Sequence, residues 1–169
     1  TLSSSSAASD VYKRQHLVRQ QLRTFTSVNV ASGECLDVHH FAVLIGVGAT
    51  TVNAYVAEAA IAERHERGLL IGMELRDAVS NFVKAVEEGL LKIMSKMGIS
   101  VIASYRGGYN FEALGLSRSL VADYFPPMSS RISGLGLKGI ATQVIEMHNK
   151  AFANDDVHLP VGGFFRYRK

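Results

Sequence analysis

The clearest pattern of apolar and polar positions lies between residues 77 and 97. Apolar side chains recur there every three or four positions, and lysines and glutamates fill most of the remaining ones. The apolar set is Val79, Phe82, Val83, Val86, Leu90, Ile93, Met94 and Met97. Because this spacing places one type of side chain on one face of an α-helix, the pattern predicts a helix over 77–97 that ends at Gly98.

The pattern changes directly after this helix. Residues Ile99–Ser104 read ISVIAS, a short apolar run rich in β-branched side chains. Such a run is typical of a strand buried in a parallel sheet. We therefore predict a buried strand over 99–104, renewed helical character over 110–114, and a last amphipathic helix over 137–152.

The chain before residue 77 has the pattern of a β-α-β unit. Residues 24–31 are rich in Thr, Val and Phe, which favours a strand. An apolar run then begins after Asp37, a residue suited to capping a helix, and ends at Gly46 or Gly48. With a second strand over 52–56, the alternation predicts an α/β fold with a parallel sheet and helices outside it.

The first fifteen residues differ from the rest. They read TLSSSSAASDVYKRQ, without a hydrophobic period and without the basic start, apolar middle and cleavage site of a signal peptide. We interpret residues 1–15 as a non-native or disordered tail.

Composition narrows the class of protein. The chain has 169 residues, 47% of them hydrophobic and 20% charged, as in globular proteins. Its longest apolar stretches fall far short of the roughly 20 residues that a membrane span needs. A net charge of +3 is too small to argue for nucleic-acid binding. Neither a membrane nor a nucleic acid is therefore expected as a partner. The single cysteine, Cys35, cannot form an intrachain disulfide or an all-cysteine metal site in this chain.

Two motifs with tempting readings are better explained as structural. Residues 134–139 form a G-x-G-x-x-G string, but a dinucleotide site needs a strand immediately before it, and only SSRIS precedes it. We expect a glycine turn that leads into a helix.

His39 and His40 are adjacent, so on a helix their rings point about 100° apart and do not share a metal ion. A packing or hydrogen-bonding role is expected, and no metal site.

The most informative candidate site follows the predicted strand. Ser104, Tyr105, Arg106 and Gly107 lie at its carboxyl end, the edge at which parallel α/β folds bind ligands. Glycines allow close approach of the backbone, and Arg106 can meet a phosphate or carboxylate. The alternative is an ordinary turn with a solvated arginine.

Longer strings resemble a known family. GLLKIMSKMGISVIASYRGGYNFEALGL (89–116) and SRISGLGL (130–137) resemble the opening of the flavin domain in the large subunit of glutamate synthases. Residues 16–61 resemble the end of the central domain of that enzyme, and LPVGGFFRYRK (159–169) resembles a stretch further along its flavin domain. The resemblance implies the end of a central domain over 16–76. It implies the first strand and helices of an incomplete FMN-binding β/α barrel over 77–169.

The resemblance also implies a function for the parent polypeptide. Glutamate synthases take the amide nitrogen of glutamine and make glutamate from 2-oxoglutarate with reduced FMN, a cytoplasmic step of ammonia assimilation and amino-acid biosynthesis. The parent also carries an iron–sulfur cluster, and receives electrons from ferredoxin or through a small NAD(P)H-oxidising subunit. The nucleophilic cysteine, the cluster cysteines and the FMN-phosphate loops lie outside this chain, and Cys35 matches none of them.

We therefore expect no catalytic residue, no metal ligand and no bound cofactor in the isolated chain. Its candidate contacts to the flavin or substrate cavity are Ser104, Tyr105, Arg106 and Gly107, and its main partner is the rest of the parent polypeptide. Two alternatives stay open: another FMN-dependent β/α-barrel oxidoreductase, which the 16–61 block disfavours, and a non-catalytic structural or partner-binding module.

Overall fold

A computed structural model describes residues 13–153 of the chain. It divides into two units, the first up to Gly134 and the second from Leu135 onward. Most of the predicted tail and the whole of LPVGGFFRYRK lie outside the described residues. None of the described helices is long and apolar enough to cross a membrane.

The first unit begins with the predicted β-α-β arrangement. After helical residues 13–19 (α1) and a 3-10 turn at Arg23–Phe25 come β1 (Asn29–Ala31), α2 (Val38–Val47) and β2 (Thr51–Asn53). The two strands pair in parallel, with Val30 opposite Val52. Both strands are shorter than predicted, because the 3-10 turn takes up the start of the first segment and the next helix begins at Tyr55.

The predicted limits of α2 are confirmed. The carboxylate of Asp37 accepts hydrogen bonds from the backbone N–H groups of His39 (2.9 Å) and His40 (3.3 Å). The imidazole of His40 accepts one in return from the N–H of Asp37, at 3.3 Å, which completes a capping box. Gly48 ends the helix with a φ of +125°, a conformation that favours glycine.

Two further helices complete the core of the first unit. They are α3 (Tyr55–Glu66) and α4 (Leu75–Lys96), and α4 contains the predicted amphipathic helix. It packs against α2 and α3 and buries Ala78, Val86 and Met94. Gly89 lies at a close approach of α4 to α2, since a Cβ atom there would collide with the side chain of Val38.

The prediction of a strand over 99–104 is wrong. Residues Ile102–Tyr105 form one helical turn (α5), and no strand is assigned between 99 and 101. Val101 is 54% exposed, so the run is not buried either. Gly98 reverses the chain with a positive φ, and the N–H of Ile99 bonds back to the carbonyl of Met94. This closure at the end of α4 turns the backbone away from an extended path.

The region after this turn also differs from the prediction. Instead of a helix over 110–114, strand β3 (Glu112–Leu116) pairs with β4 (Ser129–Leu135), and α6 (Arg118–Tyr124) lies between them in sequence. The two strands can come this close because Gly134 has no side chain. A Cβ atom at Gly134 would collide with the backbone of Gly115. A strand thus does precede the G-x-G-x-x-G string, contrary to expectation.

The second unit contains α7 (Leu137–Phe152), with the bounds that the apolar spacing predicts. Gly136 stands at its N-cap, as expected for a glycine turn that leads into a helix. No strand follows α7 within the part of the chain that the structure describes. The mixed α/β class is confirmed, and the beginning of a barrel stays a prediction.

Candidate functional site

The loop that carries the candidate residues is fixed to the end of α2 by Tyr105. This side chain is completely buried, and its hydroxyl donates a hydrogen bond to the carbonyl of Ala42, at 3.1 Å. Its ring contacts Phe111 edge to face, with centroids 6.3 Å apart, in a cluster that includes Met94. Burial raises the pKa of the Tyr105 hydroxyl, so it remains a protonated donor at neutral pH.

Backbone groups of the same loop continue this attachment. The N–H of Gly107 donates to the carbonyl of Ile45, and the N–H of Tyr109 donates to the carbonyl of Gly46, both at 3.1 Å. Gly107 and Tyr109 both have positive φ, which turns these donors toward the helix. Because the last carbonyls of a helix lack partners within it, the loop acts as a cap for α2.

Arg106 projects from this loop into an open pocket of about 390 Å³. Polar side chains dominate its lining, which consists of Arg14, Arg23, Thr24, Thr26, Ser27, Thr50, Ala103 and Arg106. The guanidinium of Arg23 donates to the carbonyls of Thr26 (2.8 Å) and Gly48 (3.1 Å). The pocket is therefore rich in positive charge and hydroxyl groups.

The four predicted site residues have different environments. Arg106 lines the pocket, whereas Ser104 is exposed on α5 outside its lining. Tyr105 belongs to the core, and Gly107 lies under the side chain of Arg14, which would collide with a Cβ atom there. The structure thus brings only Arg106 to the pocket. Contact of the four residues with a flavin or substrate stays a prediction.

Other polar residues singled out in the sequence have structural environments. His40 completes the cap of α2, the hydrogen-bonding role that was predicted, and the ring of His39 lies 6.5 Å from that of Phe111. Among the described residues, no group of three or more His, Cys, Asp or Glu side chains is placed to hold a metal ion. Cys35 is buried, and burial raises the pKa of its thiol, which disfavours the reactive thiolate.

Sequence reasoning missed the other side of the pocket. Thr24, Thr26 and Ser27 come from the segment interpreted as a strand, Arg23 directly precedes that segment, and Thr50 comes from the turn after α2. The run TFTS directly after an arginine was the available signal, because alternating hydroxyl groups beside a cation suit an anion as well as a strand.

Comparison with known proteins identifies the family. The family model of the glutamate synthase central domain matches residues 2–117. Over 154 residues the chain is 66% identical to the glutamate synthase [NADPH] large chain of Azospirillum brasilense, which covers 91% of this chain and 10% of the relative. It is 43% identical to the corresponding large chain of Bacillus subtilis, with the same coverage of both chains. It is 34% identical to glutamate synthase [NADH] of Saccharomyces cerevisiae, covering 90% of this chain and 8% of the relative.

The fold and the site define a mixed α/β chain in which a helix-capping loop adjoins a basic pocket. The chain belongs to the glutamate synthase central domain family. It spans about a tenth of the length of these two bacterial large chains. The match begins at residue 2 and continues past residue 76, so it extends into the interpreted tail and across the predicted domain boundary. The boundaries stay predictions.

Proposed function

We propose that this chain is a segment of a glutamate synthase large chain. The parent would make glutamate from glutamine-derived ammonia and 2-oxoglutarate by FMN-dependent reduction, as part of cytoplasmic ammonia assimilation and amino-acid biosynthesis. The observation that carries this proposal is the 66% identity over 91% of the chain to a glutamate synthase large chain. The central-domain match favours this parent over another FMN-dependent barrel oxidoreductase and over an independent binding module.

The packing supports a specific role for the segment. Helix α2 lies in the part predicted to end the central domain, whereas nearly all of α4 and the Tyr105 loop lie in the part predicted to begin the FMN domain. These elements share one apolar cluster and several hydrogen bonds. The segment would thus be the junction that fixes the start of the FMN domain on the central domain.

Of the two cofactors of the parent, the residues of this chain suit FMN but not the iron–sulfur cluster. An iron–sulfur cluster needs several cysteine thiolates, and the chain has only Cys35, whose thiol is buried. That cluster must therefore be held by other parts of the parent. For FMN or 2-oxoglutarate, Arg106 offers a guanidinium at an open pocket. Gly107 would contribute through the turn that it gives the loop, since its N–H bonds to the carbonyl of Ile45 and the side chain of Arg14 lies over it. Ser104 and Tyr105 complete the proposed contact loop, Tyr105 by fixing its position from the core.

The proposed partners are the remainder of the parent polypeptide, its substrates glutamine and 2-oxoglutarate, and a source of electrons. The names of the relatives mention NADPH, NADH or ferredoxin. The isolated chain is expected to be inactive.

A chimera tests the proposed function. Residues 16–169 replace the matching segment of the Azospirillum brasilense large chain, and glutamate formation from glutamine and 2-oxoglutarate is measured. We expect the chimera to retain FMN and activity, because 66% identity preserves the packing between the domains. A large chain with the segment deleted serves as the inactive control. A chimera that folds and retains FMN but makes no glutamate would contradict the proposal.

A further inference from the structure

The pocket beside α2 joins positively charged side chains from distant parts of the sequence. Arg23 lies before β1, Thr50 lies between α2 and β2, and Arg106 comes from the loop that caps α2. The volume of about 390 Å³ lies in the range of small-molecule sites, roughly 300–1,000 Å³. The pocket is therefore large enough for a metabolite rather than for a bare ion alone.

The positive charge of this pocket is not neutralised by the described residues. None of the described residues that line it is an aspartate or glutamate. The ion pairs found among the described residues lie elsewhere, at His40–Asp37, Arg67–Glu63, Lys84–Glu88 and Arg131–Glu112. The carboxyl end of α2 is nearby, but a helix end carries only about half a negative charge. A net positive potential remains for a ligand.

The donors of the pocket are both fixed and available. Two backbone carbonyls hold the guanidinium of Arg23 in place, and the loop bonds of Gly107 and Tyr109 hold the backbone next to Arg106. The side chain of Arg106 itself makes no hydrogen bond or ion pair with the described residues. Thr50 accepts a hydrogen bond from the N–H of Val28, so its own hydroxyl hydrogen is free to donate.

We propose that this pocket binds a small metabolite through an oxyanion group, a phosphate or a carboxylate, held by Arg106 and Arg23 with hydroxyl donors from Ser27 and Thr50. Guanidinium forks match both kinds of oxyanion, and partly fixed donors lower the entropy cost of binding. This inference rests on the proposed function for Arg106, which that function places against FMN or 2-oxoglutarate, and adds Arg23, Ser27 and Thr50 as the groups that complete the oxyanion site. Arg14 lies in the interpreted tail, so the site is assigned without it.

Thermal melting of the 169-residue chain tests the site. The probes are inorganic phosphate and succinate at constant ionic strength, and chloride is the reference anion. A specific ligand raises Tm in a saturable way, whereas general salt effects do not saturate. Amide shifts in ¹H–¹⁵N spectra should concentrate at residues 23–27, 50 and 103–107. Phosphate acting more strongly than succinate would identify a phosphate ligand, and the reverse a carboxylate.

Single substitutions distinguish specific binding at this pocket from a general effect of the net positive charge of the chain. Arg106→Gln should weaken the binding of the better probe by about tenfold or more, since a charge-assisted contact is lost. Arg64→Gln removes the same charge from the exposed face of α3 and should leave the affinity unchanged. Arg106→Lys keeps the charge but removes the paired N–H donors of the guanidinium, so a smaller loss of affinity than in Arg106→Gln is expected. If Arg106→Gln does not fold, Ser27→Ala should still weaken binding a few-fold.

Several results would overturn the proposal. One is the absence of any saturable shift in the unaltered chain, and another is an equal loss in Arg64→Gln and Arg106→Gln. A chain of residues 16–169 should bind as the full chain does, and loss of binding on that truncation would also contradict the assignment. Because the chimera is assayed by glutamate formation, failure of this site leaves the proposed function standing.

Discussion

The side chain of Tyr105 connects two segments that lie far apart in sequence. Its hydroxyl reaches the carbonyl of Ala42, and its ring packs in the cluster around Met94 and against Phe111. The side chain of Tyr105 itself is completely shielded from solvent. Because a hydrogen bond in such surroundings is costly to leave unmade, Tyr105 contributes to stability through its hydroxyl as well as its ring.

Replacing Tyr105 by phenylalanine isolates the contribution of the hydroxyl. We expect Tyr105→Phe to lower the free energy of unfolding by about 1–1.5 kcal/mol, because the packing stays and one buried hydrogen bond is lost. Urea unfolding followed by circular dichroism measures the change. The control is Tyr55→Phe at an exposed tyrosine of α3, where a change within about 0.5 kcal/mol is expected. Equal effects of the two substitutions would show that the bond to Ala42 is unimportant.

Residue patterns predicted part of the site and missed the rest for a physical reason. Arg106 was found because it follows an apolar run and precedes glycines. The run is not a strand, however, and its neighbour Tyr105 is a core residue. The partner side chains from Arg23 to Ser27 approach Arg106 only through tertiary packing, which a local pattern does not encode.

The contact between α2 and α4 depends on a close approach of the two helices. Gly89 permits it, since a Cβ atom at this position would overlap both Cγ atoms of Val38. Glycine within a helix otherwise costs about 1 kcal/mol relative to alanine. The contact with Val38, and not helix propensity, therefore accounts for a glycine at this position.

Substitutions at this contact test the balance. Gly89→Ala should destabilise the chain by about 1–2 kcal/mol, because the overlap with Val38 exceeds the gain in helix propensity. In the double variant Gly89→Ala/Val38→Ala, most of this loss should disappear relative to Val38→Ala alone, which is the matched control. A double-mutant cycle in chemical denaturation measures the coupling. A stabilised single variant would mean that the helices are free to move apart.

The long helices were predicted correctly from their apolar spacing, whereas the short elements after α4 were not. Helices α4 and α7 have several turns of consistent apolar spacing, and the capping box of α2 adds a local signal at its start. The six residues of ISVIAS are too few to distinguish a strand from a helical turn by periodicity. The strand β3 was misread as a helix because the fit of Gly134 against Gly115 is a tertiary contact.

At the scale of the whole molecule, burial is distributed unevenly along the described chain. Helix α2 buries half of its ten residues, whereas α7 buries none of its sixteen. The exposed side chains of α7 include large apolar ones, namely Leu137, Val144, Ile145, Met147 and Phe152. An isolated helix of this length is marginal in water, so α7, which buries none of its residues, is expected to be less stable than α2.

Hydrogen exchange of the 169-residue chain should show this difference directly. We expect backbone amides within α2 to exchange at least about a hundredfold more slowly than those within α7, which corresponds to about 3 kcal/mol in local opening free energy. In the chimeric large chain, where the rest of the parent is present, protection of α7 should rise because its apolar side chains become covered. The matched reference is α2, whose protection should change less. Equal protection of α2 and α7 in the isolated chain would show that α7 is stable without burying an apolar face, and the unequal burial would then have no energetic consequence.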